Sequence, residues 1–227
     1  MSPQELYDRT CLRTSRLTTR AYSTSFSFGI RCLSRELRDP IYAIYGFVRF
    51  ADEIVDTFHD RDKASLLERF SEDTWRAIDK QISLNPILHS FQKVVNTYQI
   101  DHELIRQFLL SMEMDLEGKQ YDQSGYEKYI LGSAEVVGLM CLRVFCKGND
   151  AEYQRLKPDA MKLGSAFQKI NFLRDLHAEF VLGFVVALDQ LNLLAENSAR
   201  LVDFLDGELH AVAHRDAHRG GAAGERT

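Results

Sequence analysis

Apolar residues recur every three or four positions through most of the first 180 residues of the chain. This spacing places apolar side chains on one face of a helix, whereas a half-buried strand would alternate apolar and polar positions. We therefore predict an all-α fold, built as a single large helical domain. The predicted helices span residues 3–20, 39–58, 62–82, 86–98, 101–117, 123–146 and 151–180.

Three prolines lie near the start of predicted helices, where the missing backbone N–H costs little. Asp39 and Asn85 each precede a proline, and their side-chain oxygens suit the N-cap position. Pro158 lies early in the last predicted helix. We therefore expect two helices to begin at Pro40 and Pro86.

The composition changes at about residue 181. The last 47 residues contain no Tyr, Lys, Pro, Cys or Met, whereas the first 180 contain nine Tyr and nine Lys. We therefore divide the chain into a helical domain over residues 1–180 and a divergent tail over residues 181–227. We expect this tail to be partly helical and to be disordered near its end.

The net charge of −5 on 227 residues does not favour a nucleic-acid partner. The charge is uneven, because residues 1–50 hold eight arginines, no lysine and four acidic residues. Such a segment could contact phosphates or an anionic membrane surface, or it could be a solvated helix face. The sequence leaves both interpretations open, and it does not indicate an oligomeric state.

The four cysteines match neither a disulfide scaffold nor a zinc site in their spacing. The segment MSPQELYDRT lacks the apolar core of a signal peptide. The longest nearly apolar stretch, residues 180–188, is too short to cross a bilayer. We therefore expect a cytoplasmic protein that can associate with a membrane surface but does not cross it.

The segment YGFVRFADEIVD places four polar side chains on one face of a predicted helix. Tyr45, Arg49, Asp52 and Asp56 follow one another at helical spacing. Two carboxylates one turn apart repel each other unless a cation lies between them, and such oxygen ligands suit Mg²⁺. Arg49 could then bind a phosphate oxygen. The alternative is a solvent-exposed acidic face.

A second stripe of the same kind lies in QKINFLRDLHAEF. Gln168, Asn171, Asp175 and Glu179 share one helical face, and Arg174 flanks the two acids. If the two helices packed antiparallel, four carboxylates would surround one cavity. Such an arrangement suits a diphosphate that is held through metal ions and leaves as an anion.

Five segments in sequence order carry a resemblance to a known family: AYSTSFSFGIRCL, DPIYAIYGFVRFADEIVD, SMEMDLE, YILGSAEVVGLMCLRVF and LGSAFQKINFLRDL. The chain resembles the squalene/phytoene synthase family, and most of all its bacterial phytoene synthases, over about residues 15–180. The resemblance implies a fold of the isoprenoid synthase type with a central cavity. It also implies Mg²⁺ or Mn²⁺ held by two aspartate-rich helices.

The resemblance implies roles for individual residues at matching positions. The implied metal ligands are Asp52, Asp56, Asp175 and Glu179. The implied catalytic residues are Tyr129, Arg49 and Arg174. The implied substrate-binding residues are Ser23, Ser25, Phe26, Tyr45, Asp115, Gln168 and Asn171. Ser23 and Ser25 have an alternative interpretation as helix-capping residues.

The implied reaction is the head-to-head condensation of two geranylgeranyl diphosphates to phytoene, with release of diphosphate. This prenyl transfer belongs to carotenoid biosynthesis, and we expect no nicotinamide cofactor. A C30 product of the squalene or dehydrosqualene type remains an alternative. A chain-elongating prenyl transferase or a terpene cyclase fits less well, because the acids do not form an Asp-Asp-x-x-Asp run.

Three features depart from the family pattern. Glu179 stands where the family usually has aspartate, and Tyr22 and Thr24 stand where basic residues are frequent. After Gly183 the chain lacks the Arg-x-Tyr-x-Pro-like stretch and the later helices that close the cavity. We therefore expect a truncated or altered C-terminus, and an inactive relative remains an alternative to a working enzyme.

Overall fold

The computed structural model describes residues 1–116 and 134–176, with residues 168–176 described as backbone alone. Within these two ranges the chain forms helices and short turns and contains no strand. The helices are α1 (Pro3–Tyr22), α2 (Thr24–Cys32), α3 (Arg35–Asp56), α4 (Lys63–Lys80), α5 (Pro86–Tyr98), α6 (His102–Leu116), α7 (Val136–Phe145) and α8 (Asp150–Leu176). The predicted all-α fold is confirmed. Residues 123–133 of one predicted helix and the tail over 181–227 lie outside the described residues.

Helix α3 occupies the centre of this fold and contacts α1, α2, α4, α5, α6 and α7. Its Phe47 is fully buried and stacks on Phe91 of α5, with ring centroids 3.8 Å apart. Phe70 of α4 and Phe108 of α6 lie 5.6 and 5.4 Å from Phe47 by ring centroid. Buried aromatic rings contribute large apolar areas, so this cluster holds four helices around one centre.

Helix α1 lies against α3 where both helices present small side chains. A Cβ atom on Gly46 would lie 3.2 Å from the Ser15 hydroxyl oxygen, closer than ordinary packing allows. Ser15 in turn donates a hydrogen bond of 3.1 Å to Ser90 of α5. Arg16 pairs with Asp39 in the first half of α3. The end of α1 lies against the second half of α3, where the Arg49 guanidinium lies over the Tyr22 ring.

Helix α2 was not predicted, because the serines at alternate positions of YSTSFS hide its short apolar pattern. Ser23 adopts an extended conformation between α1 and α2, and this ends α1. Its hydroxyl then accepts a hydrogen bond of 3.1 Å from the backbone N–H of Phe26. This is an N-cap interaction, which satisfies one of the unpaired donors at a helix start. The capping interpretation of Ser23 is confirmed.

The prediction that a helix begins at Pro40 was wrong, because α3 begins at Arg35 and contains Pro40. A proline inside a helix removes one backbone hydrogen bond. Burial offsets this cost, since Pro40 is buried and Leu37 packs against the core. Asp39 therefore does not cap α3, and its carboxylate instead accepts hydrogen bonds from Arg16.

The other two prolines give opposite results. The prediction at Pro86 is confirmed, because α5 begins there and Asn85 caps it, accepting a 3.0 Å hydrogen bond from the Ile87 N–H. Pro158 instead lies well inside α8, which begins at Asp150. The Asp39–Pro40 and Asn85–Pro86 pairs look alike in the sequence, but only the second marks the start of a helix.

The four cysteines all lie within the described part of the chain. All four thiols are free, and burial raises the pKa of the Cys141 thiol to about 12. Among the described residues, no helix is both long enough and apolar enough to cross a membrane.

Candidate functional site

The candidate site begins at the junction of α1 and α2, which packs beside α3. The Phe26 and Tyr45 rings lie 4.9 Å apart by centroid. The hydroxyl oxygens of Ser23 and Ser25 are 3.3 Å apart, and the Ser23 side chain is a polar neighbour of the Tyr45 hydroxyl. Burial raises the pKa of Tyr45, although the Arg49 cation opposes this. Four predicted substrate-binding residues therefore lie together.

Arg49 lies one turn beyond Tyr45 and is held on two sides. Its Nη2 donates a hydrogen bond of 2.6 Å to Glu53, and its guanidinium lies over the Tyr22 ring at 4.5 Å from the centroid. Its Nε is buried and has no hydrogen-bond partner within the described part of the chain. Burial tends to lower the pKa of Arg49, but the Glu53 hydrogen bond and the Asp52 charge outweigh it and raise the pKa. Arg49 therefore stays charged and keeps one buried donor unused.

Asp52 lies beside Arg49 in a crowded acidic environment. Burial is the largest effect on this carboxyl, and the charges of Asp56 and Asp115 add to it, so its pKa rises to about 7 despite the Arg49 cation. Asp115 belongs to the last turn of α6, so a second helix contributes to this environment. Carboxylates that repel one another in this way favour a bound cation.

The described acids fit part of a metal site. Within residues 1–116 and 134–167, no group of three or more His, Cys, Asp or Glu side chains converges closely enough to hold a metal ion. The pair Asp52 and Asp56 nevertheless supplies oxygen ligands from one helix, with Asp56 exposed. Mg²⁺ is often bound by one or two carboxylates and completes its shell with water and phosphate oxygens. The chemistry of this pair therefore suits Mg²⁺ at an open position.

The second predicted stripe lies entirely beyond the described side chains. Gln168, Asn171, Arg174 and Asp175 fall within the backbone of α8, which agrees with their predicted helical spacing. Glu179 and Tyr129 lie outside the described residues. The predicted meeting of the two acidic stripes stays a prediction.

Three residues of this region were not predicted as site residues. Tyr22 and Glu53 contact Arg49, and Thr57 donates a hydrogen bond of 2.6 Å to Glu53. The helical spacing of Arg49 and Glu53 is visible in the sequence and could have indicated their ion pair. The position of Tyr22 depends on the packing of α1 against α3, so no local pattern indicates it.

The squalene/phytoene synthase family profile matches residues 19–186. The chain is 32% identical to the phytoene synthase of Rhodobacter capsulatus over 162 residues, which cover 69% of this chain and 45% of that protein. It is 26% identical to the presqualene diphosphate synthase of Rhodopseudomonas palustris over 170 residues, covering 72% of this chain and 57% of that protein. The chain thus spans about half the length of these relatives.

Two solved structures have the same fold. A dehydrosqualene synthase superposes with a TM-score of 0.67 at 20% identity, covering 90% of this chain and 77% of that one. A squalene synthase from Alicyclobacillus acidocaldarius superposes with a TM-score of 0.66 at 24% identity, covering 78% of this chain and 65% of that one. The fold is therefore the all-α isoprenoid synthase fold. The family match covers most of the chain, and this protein belongs to the squalene/phytoene synthase family.

Proposed function

We propose that the protein is a prenyl transferase that condenses two geranylgeranyl diphosphates head to head to phytoene. The observation that carries this proposal is the grouping of Arg49, Asp52 and Asp115 beside the aromatic pair Phe26 and Tyr45. A cation and repelling carboxylates suit a metal-bound diphosphate, and aromatic rings suit the prenyl cation that forms when diphosphate leaves.

Asp52 and Asp56, together with Asp175 and Glu179, would hold Mg²⁺ or Mn²⁺. The bound metal would act as a Lewis acid that neutralises charge developing on the departing diphosphate. Arg49 would donate its unused Nε–H to a phosphate oxygen, with Arg174 in the corresponding role on α8. Gln168 and Asn171 would orient the same group. These are proposed roles, of which the Arg49 donor is the best supported by geometry.

The steps that form the carbon skeleton require further residues of the site. Loss of the first diphosphate leaves an allylic cation, which the double bond of the second substrate attacks, with loss of a proton, to form a cyclopropyl intermediate. Loss of the second diphosphate, rearrangement and loss of another proton then give phytoene. The rings of Phe26 and Tyr45 would shield these cations from water. Ser23, Ser25 and Asp115 would bind and position the substrates, Tyr129 would be a catalytic residue, and no reductant enters this sequence.

The C40 product is favoured over a C30 product by the phytoene synthases among its relatives. The Mycobacterium tuberculosis phytoene synthase aligns over 88% of this chain. The 4,4'-diapophytoene synthase of Staphylococcus haemolyticus aligns over 70% at 25% identity, so the C30 alternative stays open to test. Incubation with Mg²⁺ and either geranylgeranyl or farnesyl diphosphate, followed by chromatography of the extracted hydrocarbon, distinguishes the two products. We expect phytoene from the C20 substrate.

The same assay tests whether this chain is active. Release of diphosphate by the wild type, lost in Asp52→Asn, would support the enzyme. A folded chain that releases no diphosphate from either substrate would instead support an inactive relative of the same family. The matched control is Asp60→Asn, since Asp60 is an exposed acid in the turn after α3.

The protein is also proposed to bind the cytoplasmic surface of an anionic membrane through α1. Leu6 and Leu17, 51% and 68% exposed, share one face of α1 with exposed Arg9, Arg13 and Arg20. Within the described part of the chain these arginines form no ion pair. Exposed leucines flanked by arginines suit the interface of an anionic bilayer.

Vesicle sedimentation tests this contact. Binding should require phosphatidylglycerol in the vesicles, decrease with salt and decrease in Leu17→Ser. Leu110→Ser is the control, because Leu110 is a comparably exposed residue of α6, at 53%. Equal binding of both variants and the wild type would contradict the contact.

A further inference from the structure

We propose that Tyr22 and Glu53 are positioning residues that hold the Arg49 guanidinium in one orientation, with its Nε–H directed to a diphosphate. This inference rests on the proposed function, because the diphosphate is the proposed ligand. It concerns two residues to which the family resemblance assigned no role. Tyr22 also stands where the family frequently has a basic residue, so the stacking of Tyr22 on Arg49 is a feature of this chain and not of the family pattern.

The two contacts restrain Arg49 from different directions. Glu53 lies one turn along α3 and accepts the Nη2–H at 2.6 Å. Tyr22 comes from the end of α1, and its ring covers the guanidinium at 4.5 Å from the centroid. A hydrogen bond fixes one edge of the planar group and stacking fixes its plane. Together they define a single orientation.

Glu53 is itself held in place. Thr57 donates to its Oε1 at 2.6 Å, while Arg49 occupies its Oε2. The Tyr22 hydroxyl is a further polar neighbour of this carboxylate. These contacts lower the pKa of Glu53, with the Thr57 hydrogen bond as the largest cause. Tyr22 therefore contacts both members of the ion pair, and it links α1 to the acidic end of α3.

These two contacts leave one donor of Arg49, its Nε–H, unsatisfied among the described residues. Its Nε is buried and meets no acceptor in residues 1–116 and 134–167, and a buried donor without an acceptor is costly unless a ligand satisfies it. Asp52 lies close enough to raise the pKa of Arg49, so Arg49 and the proposed metal ligand belong to one site. A guanidinium fixed before binding loses less conformational freedom when it meets a phosphate oxygen.

A similar arrangement at the surface provides a matched control. Arg106 of α6 pairs with Glu103 and lies over the Trp75 ring at 5.7 Å from the centroid. Its side chain is 62% exposed, so water competes for every contact. The variant Glu103→Gln removes the same kind of ion pair without affecting the candidate site.

The experiment uses the full chain and two independent measurements. The first is the arginine Nε–H signal in a ¹⁵N-edited NMR spectrum, assigned by Arg49→Lys. A buried and fixed Nε–H exchanges slowly with water. We expect a slowly exchanging Arg49 signal in the wild type and in Glu103→Gln. We expect this signal to exchange at least about tenfold faster in Glu53→Gln and Tyr22→Leu. Rapid exchange in the wild type, or unchanged exchange in both site variants, overturns the inference.

The second measurement is the affinity for inorganic pyrophosphate with Mg²⁺, by calorimetry. Glu53→Gln and Tyr22→Leu should each weaken binding by about tenfold, whereas Tyr22→Phe should weaken it by about twofold because it keeps the stacked ring. Rescue by phenylalanine separates positioning from general loss of structure, and urea unfolding confirms that each variant is folded. Equal affinities in Tyr22→Leu and Glu103→Gln overturn the inference.

The two measurements also separate this inference from the proposed function. If the wild type binds no pyrophosphate but its Arg49 signal is protected and depends on Tyr22 and Glu53, the proposed function fails and the positioning of Arg49 stands. If the wild type binds pyrophosphate and releases diphosphate from its substrate while the Arg49 signal is unaffected by both variants, the positioning fails and the function stands.

Discussion

Two arginines in this protein have nearly the same kinds of contacts, but the charges around them differ. Arg49 lies 4.5 Å from the Tyr22 ring centroid and pairs with Glu53. Arg143 of α7 lies 3.8 Å from the ring centroid of a tyrosine on α8 and pairs with an aspartate at the start of that helix. Both guanidinium groups have a buried Nε that finds no partner among the residues that the structure describes. The local construction alone therefore does not identify a functional arginine.

The difference lies in the charges around each group. Arg49 has Asp52 beside it, and the charges of Asp56 and Asp115 add to the effect of burial on the pKa of Asp52. Arg143 pairs with Asp150, whose side chain is 78% exposed, and packs on Tyr153, which is buried. The carboxylates around Arg49 repel one another, which favours an additional cation. Arg143 instead connects two helices.

The largest expected effect comes from replacing each arginine by lysine. Arg49→Lys should lower the rate of diphosphate release by about 10²- to 10³-fold, because lysine keeps the charge but loses the planar fork and its stacking. Arg143→Lys should change the rate per folded molecule by less than about twofold. Steady-state assays with Mg²⁺ and geranylgeranyl diphosphate measure both. Similar losses in the two variants would remove the distinction between the two arginines.

Replacing the two stacked tyrosines should have the opposite order of effects on folding stability. The tyrosine beside Arg143 should matter more than the one beside Arg49. Tyr153 is 3% exposed, so Tyr153→Leu should lower the free energy of unfolding by roughly 2–3 kcal/mol. Tyr22 is 49% exposed, and Tyr22→Leu should lower it by less than about 1 kcal/mol. Urea denaturation provides both values. A larger stability loss from Tyr22→Leu would indicate that the ring over Arg49 is mainly structural.

The sequence predicted the fold where the information was local. Apolar periodicity located α5 at the observed ends, and Asn85 before Pro86 marked its start correctly. The same reasoning failed for α2, because nine residues carry little periodic signal and their start depends on the Ser23 cap. It also failed at Pro40, where packing against the core outweighs the lost hydrogen bond.

The sequence likewise predicted only the part of the candidate site that depends on local spacing. The order of Tyr45, Arg49, Asp52 and Asp56 on one face of α3 follows from helical spacing alone. The influence of Asp115 on Asp52 depends on how α6 packs against α3, which no local pattern encodes. The stacking of Tyr22 depends similarly on α1. The resemblance to a family indicated Asp115 but gave no role to Tyr22, because it carries over matching residues and not the contacts of this chain.

The raised pKa of the Asp52 carboxyl should make the free energy of unfolding depend on pH. Its pKa rises to about 7 from an ordinary 3.8, so the folded state holds more protons than the unfolded state between these values. Protonated Asp52 therefore favours the folded state at low pH, and this stabilisation is lost as the pH rises through about 7. In the presence of a chelator, Asp52→Asn should be roughly 1–2 kcal/mol more stable than the wild type at pH 8.

The difference between Asp52→Asn and the wild type should disappear below about pH 3, where the Asp52 carboxyl is neutral in both the folded and the unfolded states. Urea unfolding at several pH values measures it, with Asp60→Asn as the exposed control. A difference that does not depend on pH, or one that favours the wild type at pH 8, would contradict the repulsion around Asp52.

The smallest expected effect concerns Asp8, a carboxylate at the contact of α1 and α5 that has hydrogen-bond and charge partners within the fold. Asp8 accepts a 2.8 Å hydrogen bond from His89 and pairs with Lys93. Burial alone would raise its pKa, but the hydrogen bonds from Lys93 and His89 outweigh this and lower the pKa to about 2. Its stabilising contribution is therefore complete above about pH 4 and is lost as the pH falls toward 2.

Asp8→Asn should accordingly lower the free energy of unfolding by about 1 kcal/mol at pH 7, a modest value because Lys93 is 49% exposed and water screens the pair. The difference from the wild type should shrink below pH 4, whereas that of Asp52→Asn grows as the pH rises. Opposite pH dependences at these two acids would show that one carboxylate has its partners within the fold and the other needs a cation. If urea unfolding instead gave Asp8→Asn the same pH dependence as Asp52→Asn, that distinction would not hold.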